Sequence, residues 1–149
     1  MLDFLSAIDE LHEILAVGSV VLVSALALIL GRGPERAAGL VLLIDAFGLV
    51  LLAGLLDQGD RVVLVHAKAV LVLGAYVVMT IRWHHRWLVL LAGLQAFAVL
   101  LHLVAWIDRS IVIFANALLL NATGWLMLLV LAVATVGNAF RRRDVRAGL

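Results

Sequence analysis

Apolar residues fill this chain in five long stretches, roughly 13–30, 37–56, 62–81, 87–107 and 111–136. Short polar breaks separate them: GRGPER, DQGDR, RWHHR and DRS. A helix needs about 20 apolar residues to cross a bilayer, and each stretch meets that length. Continuous apolar runs of this length exclude the alternating pattern of a membrane β-barrel. The pattern therefore predicts an all-α polytopic bundle of five transmembrane helices in a single domain over residues 1–149. The short breaks make sequential helices antiparallel neighbours. Residues 1–12 place Leu5, Ile8, Leu11 and His12 at helical spacing with acids opposite, an amphipathic outer segment leading into the first span.

Composition agrees: 66% of residues are hydrophobic and the mean hydropathy is +1.20, against about half apolar in an ordinary soluble domain. The chain has no cysteine, which removes disulfides, thiolate catalysis and cysteine-ligated metals. Its start carries Asp3, Asp9, Glu10 and Glu13 instead of a basic region, unlike a cleaved signal peptide. The single proline, Pro34, suits the first turn of the second span, where a missing N–H costs nothing.

Charge sets the expected orientation. Bases favour the cytoplasmic side. With the C-terminus inside, the inner segments hold Arg32, Arg36, Arg82, Arg86, Arg141, Arg142, Arg143 and Arg146, and the outer ones only Arg61 and Arg109. Five spans then put the N-terminus outside. The basic tail of residues 137–149, with Arg141, Arg142, Arg143 and Arg146, abuts a span, so its expected partner is anionic lipid and not nucleic acid. Trp83, Trp87 and Trp106 sit at span ends, where aromatic rings anchor at the interface. Gly18, Gly48, Gly74, Gly93 and Gly124 lie within spans and allow close helix packing, within the chain or in an oligomer.

Ionisable and amide side chains inside the spans are the candidate chemistry. At about 1.5 Å of rise per residue, His66, Lys68, His102 and Asn116 fall about 6–9 Å below the outer ends of their helices. Asp45 and Gln95 fall about 12 Å from the inner ends, with Asn121 near the midplane. Two polar layers are expected. His66 and Lys68, about 200° apart on one helix, cannot share a face. Lys68 either snorkels outward or is buried. A direct Asp45–Lys68 pair is not expected, because the assumed depths differ and the side chains tilt apart. Asp45 reads either as a protonated group bonding Gln95 or Asn121 to hold helices together, or as a titrating group in a proton or cation path. His66 and His102, at matched depth, offer an alternative: axial ligands of haem b in a quinone-linked redox subunit. Without that pair no cofactor is implied. Asp9, His12 and Glu13 share a face but read as a solvated set, so no metal is expected. No nucleotide-binding, hydrolase or metalloprotease motif is present, so a non-enzymatic component is expected.

GRGPERAAGLVLLID and RWHHRWLVLLAGLQAFAVLLHLVAWIDRSI resemble an uncharacterised group of small bacterial inner-membrane proteins, from residue 31 to the arginine tail. That resemblance implies the same architecture and no activity. The segment from RGP at 32–34 through Asp45 and the third span is also similar, more weakly, to the small F subunit of multisubunit cation/proton antiporters. That likeness implies a transport assembly. The chain departs from it by two further spans, and by His66 and Lys68 where that subunit has a second acid. Together these readings predict a homo-oligomer or an accessory subunit of a larger membrane complex.

Overall fold

The computed structural model describes the backbone of residues 2–53, 58–107 and 113–146, and side chains over 14–48, 63–107 and 115–141. Five helices make up the described chain: α1 Leu2–Leu30, α2 Gly33–Ala53, α3 Gln58–Trp83, α4 Arg86–Ile107 and α5 Ile113–Arg146. The acidic face of Asp9, His12 and Glu13 lies outside the described side chains. α5 carries the basic segment as helix through Arg146. Among the described residues, three segments are long and apolar enough to cross a membrane: Val63–Trp83, Arg86–Ile107 and Ala115–Arg141. Ile14–Leu30 is a shorter apolar stretch of α1.

Each helix packs against the next, and α5 closes back on α1. An α2–α5 contact crosses this ring. α3 is held between α2 and α4 and, among the described residues, touches neither α1 nor α5.

The surface is more apolar than a soluble protein tolerates. Ile29, Leu71 and Ile107 are 73%, 73% and 83% exposed, and large aliphatic side chains cover every described helix. Patches of that extent need an apolar solvent or partner. The interior meanwhile buries Ser24, Glu35, Gln95, Thr123 and Thr135 beside Tyr76, Leu88, Leu91 and Leu131. An oily exterior around a partly polar interior identifies a membrane protein built as a helical bundle.

Within one chain the mid-span glycines make no close contact with another helix. A Cβ on Gly18, Gly74, Gly93 or Gly124 would meet nothing within 4 Å, and on Gly48 only Ile44 of its own helix. The close approach falls instead at the α1–α2 hairpin. A Cβ on Gly39 would lie 3.0 Å from Ala27 Cβ, and one on Gly31 would run into the Ala27 carbonyl and Glu35 Cβ. Ser24 and Ala27 on α1, with Gly31 just past its end, thus form a small-residue stripe facing Glu35, Ala38 and Gly39 on α2, which draws the two backbones together.

The α3–α4 turn is just His84 and His85. His84 holds a left-handed backbone, φ 53°, and its N–H closes the end of α3 on Thr80 O at 2.9 Å. Trp83 and Trp87, expected as interface anchors, are half-buried and pack on the core. The Trp83 indole lies over Gly33 at the start of α2. Trp106 is 61% exposed.

Candidate functional site: a polar seam on both sides of α3

Lys68 projects from α3 toward α2. Its Nζ lies 2.9 Å from Asp45 Oδ1 and also donates to the Asp45 backbone carbonyl at 2.7 Å. This corrects the expectation that the two would not pair. The reason lies in where the helices begin. α3 starts at Gln58, not near 62, so Lys68 sits about 15 Å along it. α2 continues to Ala53, so Asp45 sits about 12 Å from that end. The two residues are nearly level, and the flexible lysine arm covers the remaining gap. Their side chains are 26% and 27% exposed, so the pair is half-sheltered at the α2–α3 seam.

His66, on the opposite side of α3, faces α4. Its Nε2 is 3.1 Å from the His102 carbonyl oxygen. The two imidazoles meet edge to face, with centroids 5.7 Å apart and planes at 62°. Trp106, one turn beyond His102, lies 5.5 Å from the His66 ring. Beside His66 an apolar hollow opens laterally, lined by Val63, Ala67, Val70, Leu71 and Trp106. One turn inward, Gln95 Nε2 donates to the Ala69 carbonyl at 3.1 Å. Gln95 and His102, seven residues apart, therefore both face α3, as their stripe predicts. The near-opposition of His66 and Lys68 sends one to each neighbour of α3.

A porphyrin between two axial imidazoles needs a gap between the rings. Here the rings touch each other, and His66 Nε2 is engaged by the carbonyl of the would-be second ligand. The pair as packed does not fit a macrocycle.

The inner polar layer does not form as expected. Asn121 is exposed on the outside of α5. It is two residues from Thr123, which is 3% exposed and bonds back to the Leu119 carbonyl at 2.7 Å. Two residues are about 200° on a helix, so burying Thr123 turns Asn121 outward. Asn116 is half-buried, on the same side of α5 as Thr123.

A second polar site, at the opposite end of the bundle from the α2–α3 connection, was not anticipated. Glu35 is fully buried at 0% exposure. Its Oε2 accepts the Arg32 backbone N–H at 2.8 Å, and its Oε1 accepts Asn138 Nδ2 of α5 at 2.6 Å. Glu35 is the third residue of α2 and caps the residue before the helix, the reciprocal half of a capping box. The RGPE order, an acid three residues after a turn residue, is the sequence signal for that contact. The reach of Asn138 across 103 positions has no local signal.

No family model, curated protein or solved structure matches the chain.

Proposed function

We propose that this chain is a five-span component of a bacterial inner membrane, N-terminus outside and C-terminus inside, that performs no catalysis itself and works within an assembly. Asn121 carries the reading. It is an exposed amide (Asn121) about 9 Å into the apolar part of α5, where an amide facing lipid has no water to bond. Gly124, one turn away with open space above it, and Ala117 lie on the same exposed face. A partner helix that approached there would satisfy the amide and bury the small residues. The resemblance to a small antiporter subunit points in the same direction.

The test is size and contact together. The wild-type protein in mild detergent runs as an oligomer or with co-purifying subunits, and Asn121→Leu shifts it toward monomer. A wild-type monomer free of partners would overturn the proposal. Orientation is testable in the same chain, because it has no cysteine. A single thiol at His85 should resist an impermeant maleimide in intact cells, and one at Gln58 should react.

A second reading rests on the Asp45–Lys68 pair. An acid and a base joined within the membrane, with two imidazoles on the next seam, would serve as a proton or cation relay. Proteoliposomes carrying Asp45→Asn should then lose a flux that wild type supports. Equal flux in the two removes this reading.

A further inference from the structure

A groove of about 520 Å³ lies between α4 and α5 at the end of the bundle where Arg32, Arg82 and Arg86 are exposed. Its polar end is formed by His85, Trp87, Asn138 and Arg141, and its flank by apolar residues such as Leu90 and Val133. His85 stacks on Trp87, centroids 6.3 Å apart and planes at 18°. Trp87 Nε1 is buried without a hydrogen-bond partner. Asn138, which lines the groove, donates to the buried Glu35 carboxylate, which itself is not part of the lining. α4 begins at Arg86, so the Arg86 and Trp87 N–H groups stand in its first turn at the same end, while the Leu88 N–H is taken by the His85 carbonyl at 3.0 Å.

We propose that this groove seats an anionic phospholipid, its phosphate held by Arg141 with His85 and the start of α4, and one acyl chain lying along Leu90 and Val133. The charge of the polar end selects an anion, and the apolar flank selects a chain attached to it. From Arg141 back to Leu129, the lining of α5 runs about 18 Å, close to the hydrocarbon depth of one leaflet, about 15 Å. A second protein helix would leave Arg141 and His85 facing apolar side chains, whereas a lipid phosphate pairs with them. The inference rests on the membrane reading and is independent of the assembly reading.

The test is native mass spectrometry of the full chain in mild detergent, with equal amounts of phosphatidylglycerol and phosphatidylcholine of matched acyl chains. Wild type should retain one phosphatidylglycerol in several-fold preference. Arg141→Gln should cut that preference about fivefold, the contribution of one interfacial base. Val133→Trp, which fills the flank, should reduce retention of the lipid without changing helical content. Equal retention of the two lipids by wild type, or unchanged preference in both variants, overturns the proposal. A preference lost only when Arg142 and Arg143 are replaced would also overturn it, placing the lipid on the tail. If either variant fails to fold, bromine-labelled lipids added to wild type and Trp87→Phe decide the matter: phosphatidylglycerol should quench the Trp87 component more than phosphatidylcholine does, and equal quenching overturns the site. A monomer that still selects phosphatidylglycerol would sink the assembly reading alone, and an oligomer without selection would sink this one alone.

Discussion

Replacing Lys68 by Met tests what the Asp45–Lys68 pair contributes. The ammonium makes two contacts, at 2.9 Å to the carboxylate and 2.7 Å to the Asp45 carbonyl. Hydrogen bonds to charged groups contribute about 1.5–3 kcal/mol each. With both side chains about a quarter exposed, screening holds the sum toward the lower end. Lys68→Met should therefore destabilise the bundle by about 3–4 kcal/mol, partly because it strands the Asp45 carboxylate. The double replacement Asp45→Leu with Lys68→Met removes both charges and should cost less than Lys68→Met alone, because a stranded charge is worse than an apolar pair. Reversible unfolding in mixed micelles, followed by far-UV circular dichroism, gives the three free energies of Lys68→Met, Asp45→Leu and the double variant. A Lys68→Met cost below about 0.5 kcal/mol, or a double variant as damaged as the sum of the singles, would refute the ion-pair account. Flux measured on the same proteins separates the two roles. If the double variant is stable and its flux intact, the pair is helix glue; if it is stable and inactive, the pair is a relay.

Glu35→Gln replaces an acceptor oxygen with an NH2 group that must face either Arg32 N–H or the Asn138 amide. It should cost about 1.5–3 kcal/mol in the same unfolding assay, and an unchanged midpoint would contradict the buried geometry. Gly39→Leu inserts a side chain where even a Cβ would stand 3.0 Å from Ala27. It should part α1 from α2 and unfold at markedly lower detergent, whereas Gly74→Leu, with open space around it, should be nearly neutral. His84→Gly relieves a non-glycine residue at φ 53° and should stabilise by about 0.5–1 kcal/mol; a destabilisation would mean that the ring makes contacts outweighing the backbone strain. The visible spectrum of the purified protein, before and after dithionite, should show no Soret band. A band lost in His66→Ala or His102→Ala would mean that the two rings part to admit haem.

What the sequence determined by itself is what depends on local properties. Apolar runs too long for strands, with short polar breaks, require helices of spanning length, and the apolar excess requires an oily exterior. The break at GRGPER is equally local; the cap by Glu35, though also within four residues, emerged only with the structure. The opposed directions of His66 and Lys68 follow from helical geometry alone. Which partner each would find does not. A helix can rotate about its axis and slide along it at little local cost, and packing against neighbours sets both. A shift of four residues in the start of α3 brought Lys68 level with Asp45. The burial of Thr123 turned Asn121 out of the layer it was expected to join. The glycines at mid-span fell on open surface, while Gly31 and Gly39, beside a turn, became the close contact. Asn138 met Glu35 from the far end of the chain. Lys68 with Asp45 and Asn138 with Glu35 join residues 23 and 103 positions apart, and only the mutual packing of whole helices decides them.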